Sequence, residues 1–153
     1  MTEKEKIAIA SDHAGVELKA AVDEVLEAEG FEVLDLGPDN PAQSVDYPDY
    51  GKAVAKRVSR GDVRRGVLIC GTGIGMSLVA NKFPGVRAAL VHDCFTAEAA
   101  KEHNNANILV LGARVIPVEL AKELVKIWLR TEYAGGRHQR RLDKISELEC
   151  RCK

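Results

Sequence analysis

Five short apolar runs, each followed by a stretch of helical spacing, constrain this chain more than anything else in it. The runs are Lys6 to Ala10, Phe31 to Leu36, Gly66 to Cys70, Val86 to Val91 and Ile108 to Leu111. They are nearly continuous in their apolar character, the pattern of strands buried on both faces. Between them, Val16, Leu18, Ala21, Val22, Val25 and Leu26 recur at helical spacing and stop at Gly30. Further helices are predicted over 51–60, 76–82, 96–103 and 117–132, the last with Pro117 at a tolerated first-turn position. Tyr133-Ala134-Gly135-Gly136 breaks the pattern before a final helix over 137–149. Strand and helix in strict alternation predict an α/β fold, a five-stranded parallel sheet covered by helices on both faces. At 153 residues the whole chain, 1–153, is expected to form one domain, with about 1–5 and 150–153 as flexible tails.

The third run carries the most unusual chemistry: Gly66-Val67-Leu68-Ile69-Cys70-Gly71-Thr72-Gly73-Ile74-Gly75. Three glycines at every second position leave backbone N–H groups free to turn toward one anion or developing negative charge. A thiol at the strand end beside those amides would have its thiolate stabilised. Two familiar loops do not fit. The dinucleotide spacing G-x-G-x-x-G would need a third glycine where Met76 stands. A cysteine-phosphatase loop would need an arginine at that same position. The plainer alternative is a tight strand-to-helix turn whose cysteine is a small buried hydrophobe.

Composition narrows the partners. A net charge of −1 offers no field for nucleic acid or an acidic membrane surface, so any anion site must be local. No apolar stretch approaches the ~18 residues of a membrane span, and Met1 to Lys6 lacks a signal-peptide pattern, which makes the cytoplasm the expected location. Four cysteines, Cys70, Cys94, Cys150 and Cys152, do not suggest a disulfide framework in such a chain. Cys150 and Cys152 form a C-x-C without a second ligand pair, and no metal or cofactor is expected.

In open α/β sheets ligands lie outside the carboxyl ends of the strands. Asp12 and His13 follow the first strand, Cys70 through Gly75 the third and Arg114 the fifth, while His103-Asn104 closes the helix before the fifth. Acid, imidazole, amide, thiol and guanidinium are therefore expected along one edge. Each taken singly could be a cap: Asp12 and His13 at one helix start, His103-Asn104 at a helix end. Arg137 and Arg141 stand four apart at a helix N-terminus, where like charges repel and positive charge is unfavourable. An anion such as phosphate explains that pair, since the guanidinium fork donates two bonds at once.

Asp12-His13-Ala14-Gly15, Cys70 through Gly75, Ala80-Asn81-Lys82, His103-Asn104, Gly112-Ala113-Arg114 and Gly135-Gly136-Arg137-His138 together resemble the ribose-5-phosphate isomerase B family, grouped with galactose- and allose-6-phosphate isomerases. The likeness runs in order from Lys6 to about Glu149. It implies a Rossmann-like αβα domain, a cofactor-free aldose–ketose isomerase, and a homodimer or dimer of dimers with shared active sites. It implies that Cys70 moves a proton between C1 and C2, and that His103, with Asp12 near it, opens the furanose ring. Thr72 and the amides of Gly71, Gly73, Ile74 and Gly75 would hold the enediolate, and Asn104 a sugar hydroxyl. His13, Arg114, Arg137 and Arg141 would hold the phosphate. The last helix, with the arginine pair, would be exchanged toward the partner subunit, where Leu142, Ile145 and Leu148 form an apolar stripe. Some members use a loop carboxylate instead of the cysteine; here that position corresponds to Ile74. Ribose 5-phosphate is the expected substrate, with a 6-phosphohexose as the alternative. The rival from another class is a nucleotide-binding module using Asp93 as its ribose acid.

Overall fold

The computed structural model describes residues 3–151. The side chains of Cys150 and Cys152, and the ends of the expected tails, lie outside the described residues. In chain order the elements are β1 (Lys6–Ser11), a 3₁₀ turn (His13–Gly15), α1 (Val16–Ala28), β2 (Glu32–Asp35), α2 (Tyr47–Arg60) and β3 (Arg65–Cys70). Then come α3 (Ile74–Ala80), β4 (Ala88–Leu90), α4 (Cys94–Glu102), β5 (Ile108–Gly112), α5 (Val118–Arg130) and α6 (Arg137–Arg151). The five strands form one sheet in the order β2-β1-β3-β5-β4, every neighbouring pair parallel. The expected three-layer αβα, Rossmann-like architecture is the observed one.

Boundaries differ from the sequence reading where capping chemistry intervenes. The second helix starts at Tyr47 rather than Gly51, because Pro48 is accepted within the first turn. The fourth begins at Cys94, where Asp93 and Thr96 form a reciprocal capping box. Pro117 is the N-cap of α5, not its first helical residue. No described helix is long and apolar enough to cross a membrane.

Strand alternation divides the core into two. Ile7, Ile9, Val67, Ile69, Leu109 and Leu111 face α1, α4 and α5, where Leu18, Val22, Leu26, Leu124 and Trp128 meet them. Ala8, Ala10, Leu68, Cys70 and Val110 face the other way, onto Val54, Ala55, Met76 and Ala80 of α2 and α3. The alanines of β1 let α2 lie close on that second face. Trp128 is wholly buried, yet its indole N–H is satisfied by the Ala106 carbonyl at 3.0 Å. The last helix touches its own domain through Leu142, which is 6% exposed, and through Glu149, whose carboxylate accepts from the Gly85 amide at 3.1 Å. Ile145 and Leu148 of the same stripe stay 49% and 55% exposed.

One ionic cluster sits between α1 and β2. Lys19, 3% exposed, donates to both carboxylate oxygens of Asp35 at 2.7 and 2.6 Å. Asp23, one turn further along α1, has its pKa pushed up to about 7, first by burial and then by the Asp35 charge, with Glu27 adding to it and Lys19 opposing. Asp23 therefore binds its proton more tightly folded than unfolded. Its contribution to stability is complete at low pH, falls as pH rises above the ordinary 3.8, and is gone above about 7. Asp23→Asn should remove that part of the slope. Urea unfolding at pH 5 and pH 8 should show a smaller stability difference in the variant than in the wild type, and equal differences would contradict the assignment.

Candidate active site

Three strands end together at the carboxyl edge. Ser11 lies opposite Ile69 and Cys70 opposite Gly112. Beyond the ladder the backbone stays knitted: the Asp12 amide donates to Ile69 at 3.1 Å, Ala113 to Cys70 at 2.8 Å and Arg114 to Gly71 at 2.9 Å. Asp12, Cys70, Gly71, Thr72 and Arg114 are therefore brought to one place, as the sequence implied.

Cys70, 5% exposed, takes its place on the α2–α3 face, and its Sγ accepts the Gly73 N–H at 3.2 Å. Gly73 has φ +82°, and a Cβ there would run into Leu90 and the Leu111 backbone, so the turn requires glycine. Gly112 is needed for a different reason: a Cβ on it would stand 2.6 Å from the Thr72 carbonyl oxygen. The expected row of free amides is only partly available. Gly73 N–H is engaged by the thiol, and Ile74 N–H donates to Thr72 Oγ1 at 3.2 Å. Gly75 lies against the Tyr47 ring, which walls one side of the loop. Tyr47 carries no signal of this role in the sequence beyond its aromatic character one residue before Pro48. The Arg114 guanidinium lies across Gly71, with Nη1 3.3 Å from where a Cβ would be.

Asp12 is committed to the backbone. Its Oδ1 accepts from Ala14 N at 2.9 Å and Gly15 N at 3.2 Å, capping the turn into α1. His13 beside it is half-buried, and its Nδ1 accepts the Val45 amide at 3.2 Å.

His103 and Asn104 are elsewhere. In a parallel sheet each connecting helix runs back against the strands, so the end of α4 returns to the amino edge. There Asn107 bonds both Arg87 and Gly66, at the starts of β4 and β3. The length of β5, Ile108 to Gly112, separates the two edges by ~13 Å at ~3.3 Å per residue. The expectation of a single edge, with Asp12 near His103, is thus corrected within one chain. His103 instead stacks on His138 of α6, ring centres 4.4 Å apart and planes at 14°. Burial, the His103 ring and then Arg137 and Arg141 hold the His138 pKa below its ordinary value. Arg137 and Arg141 are exposed, and the first turn of α6 contains no acid to balance them. Asn104, with Leu142 and Ile145, lines a cavity of about 230 Å³ at this junction.

Two other residues fall outside both groups. Asp93 accepts from Thr96 N at 2.7 Å and Thr96 Oγ1 at 2.8 Å, which removes the ribose-binding acid that a nucleotide module would need. Cys94 is exposed, and desolvation and then the Glu123 carboxylate hold its pKa above the ordinary value.

A parallel αβα sheet with a thiol, a glycine turn and a guanidinium at its carboxyl edge is an α/β domain with a candidate site for a small anion. The ribose/galactose isomerase family model matches residues 7–145. Ribose-5-phosphate isomerase B of Escherichia coli is 44% identical over 146 residues, covering 95% of this chain and 97% of that protein. D-erythrulose-4-phosphate isomerase of Pectobacterium atrosepticum is 43% identical over 143 residues, 94% of each. The crystal structure of ribose-5-phosphate isomerase B from Mycoplasma genitalium with bound ribulose-5-phosphate superposes with a TM-score of 0.92 at 43% identity, covering 97% of this chain and 99% of that one. The chain belongs to the ribose/galactose isomerase family.

The crowding at Gly112 makes a direct test of the loop. Gly112→Ala must displace Thr72 from its place beside Cys70. It should cost ~1–3 kcal/mol in urea unfolding, the range for overpacking. Because Thr72 moves, turnover should fall at least tenfold even at temperatures where the variant is fully folded.

Proposed function

We propose that this protein interconverts ribose 5-phosphate and ribulose 5-phosphate, with Cys70 as the proton-transferring base. The observation that carries this reading is the Cys70 sulfur, held at the carboxyl edge by the Gly73 amide at 3.2 Å, with Arg114 across the same loop. The Cys70 thiolate removes the proton on C2 of the open-chain aldose, and the electron pair passes to O1 as an enediolate. A proton moves from O2 to O1, and the Cys70 thiol returns its proton to C1, leaving the ketose. The charge exists only during reaction, so preorganised donors act selectively on it, at ~2.7–4 kcal/mol for one such donor. Thr72 and the amides of Gly71 and Gly75 supply these donors in this scheme, with Gly73 and Ile74 orienting the sulfur and the Thr72 hydroxyl.

Ring opening is assigned to His103, which takes the anomeric hydroxyl proton while the ring oxygen gains one. Asp12 supports the site through the turn that carries His13 rather than by touching His103. Asn104 holds a sugar hydroxyl, and His13, Arg114, Arg137 and Arg141 hold the phosphate. Within one chain Cys70 and His103 occupy opposite edges, so a complete site takes its thiol edge from one copy and its α4–α6 junction from another. Exposed Ile74, Leu78, Phe95, Ile145 and Leu148 supply apolar surface for such a homodimer or dimer of dimers, with α6 reaching toward the partner. No cofactor takes part in this scheme. Cytoplasmic placement goes with a phosphorylated sugar as substrate.

A second reading keeps the chemistry and changes the carbon chain. The Pectobacterium relative, named for a tetrulose phosphate, is nearly as similar as the Escherichia coli pentose phosphate enzyme. The family's name also includes galactose. Coupled assays with tetrose, pentose and 6-phosphohexose substrates, allose and galactose included, discriminate; the highest kcat/KM should fall on ribose 5-phosphate.

Cys70→Ala should lower isomerisation by ~10²–10⁴-fold or more while sugar-phosphate binding persists. Deuterium exchange at C2 in heavy water should vanish with it, and persistent exchange would identify a different base. The shared site has its own test. Chains carrying Cys70→Ala, and chains carrying Arg137→Ala with Arg141→Ala, should each be inactive alone. After confirmed subunit exchange the mixture should regain roughly a quarter of wild-type activity, since half the dimers are mixed and each holds one intact site. No recovery would mean that the arginines serve their own chain.

A further inference from the structure

Lys19 is an anomaly that the proposed chemistry does not use. It is a cation in the first turn of α1, where positive charge opposes the helix dipole, and it is almost wholly buried. The Lys19 side chain is 4% exposed and that of Asp35 37%, and an ion pair with one buried partner is a poor source of stability and better at fixing one arrangement among several. The arrangement fixed here can be traced bond by bond. Asp35, gripped by Lys19, also accepts the Gly37 amide on Oδ1 at 2.8 Å. The Gly37 carbonyl in turn accepts the Ser11 amide at 3.0 Å, directly before Asp12. The chain then loops out, with Asn40 Oδ1 holding Ala42 N at 3.0 Å, and returns at Val45. There the Val45 amide donates to His13 Nδ1 at 3.2 Å. Residues 37–45 are thus pinned at both ends to the Asp12–His13 corner of the site.

An imidazole whose Nδ1 accepts a hydrogen bond carries its ring proton on Nε2. The Val45 amide therefore decides which nitrogen of His13 is the donor, and it holds the ring in one plane. We propose that the Lys19–Asp35 pair positions the loop 37–45 so that its Val45 amide holds His13 as an Nε2–H donor toward the substrate's phosphate. Lys19, Asp35 and the Val45 amide are positioning groups that act through His13. This rests on the reading above that His13 binds phosphate, and the experiment separates the two.

The primary variant is Asp35→Asn, which keeps the shape and removes the charge that grips Lys19. Val45→Pro, which removes the amide hydrogen at the cost of the valine side chain and a fixed φ, makes the same test if Asp35→Asn fails to fold. Nitrogen-15 chemical shifts of the His13 ring report the tautomer without any substrate. The wild type should show the Nε2–H form, and either variant should lose that preference. Hydrogen exchange across 37–45 should accelerate in Asp35→Asn. In turnover, KM for ribose 5-phosphate and Ki for inorganic phosphate should rise roughly tenfold, the size of one hydrogen bond to a charged group, with kcat changed less than twofold. Asp35→Glu should recover part of the loss. In the His13→Asn background Asp35→Asn should have no further effect on KM. An unchanged tautomer and unchanged exchange in a folded variant would overturn the proposal, as would additive effects of the two substitutions. If the tautomer is lost but neither variant nor His13→Asn alters KM or Ki, the phosphate role of His13 fails, while the positioning of its ring stands.

Discussion

The direction of the strands governs everything else in this molecule. Because all five run parallel, each connecting helix must run back, and every strand end is gathered on one edge. Asp12, Cys70 and Arg114 follow three adjacent strands, and their neighbouring amides join them across β1, β3 and β5. The same rule carries the end of α4 to the far edge, where His103 meets His138. The separation of thiol and imidazole is thus a consequence of topology, and it is what motivates the proposal of a site shared between two copies.

Close approach is the second theme. At the carboxyl edge the loop after β3 passes so near β5 that Gly112 leaves no room for a side chain beside Thr72. Gly73 turns the chain through a left-handed conformation and directs its amide at the Cys70 sulfur. These contacts trade side-chain burial for placement, which suits a reaction whose barrier depends on where charge develops. Local rules are broken at the same places. Three arginines fall among the first five residues of α6, a cation lies buried at the start of α1, and a carboxylate in its cluster has its pKa at about 7. Such conflicts are tolerated where function gains from them.

The fold was legible in the sequence because its signal is local and repeated. Near-continuous strands such as Ile108 to Leu111 and amphipathic helices such as α5, with Leu124, Val125 and Trp128 on its inner face, each announce themselves within a dozen residues. The glycine turn with its cysteine was legible too, since strand, thiol and glycines are consecutive. Some boundaries moved where a cap or a proline acted, as at Asp93 and Pro48, while others, such as those of α3 and β4, shifted by one or two residues.

What the sequence by itself determined was the set of elements, their order, and the one stretch where thiol and backbone amides must be neighbours. It listed His103, Asn104 and Arg137 as chemistry-bearing, and the parallel order it predicted already sends the end of α4 to the amino edge. It could not tell that α6 would fold back there and stack His138 on His103. Nor could it tell that Tyr47 walls the loop, or that Val45 reaches His13 from 32 positions away. Those relations join residues distant along the chain and close in space, so only tertiary packing decides them.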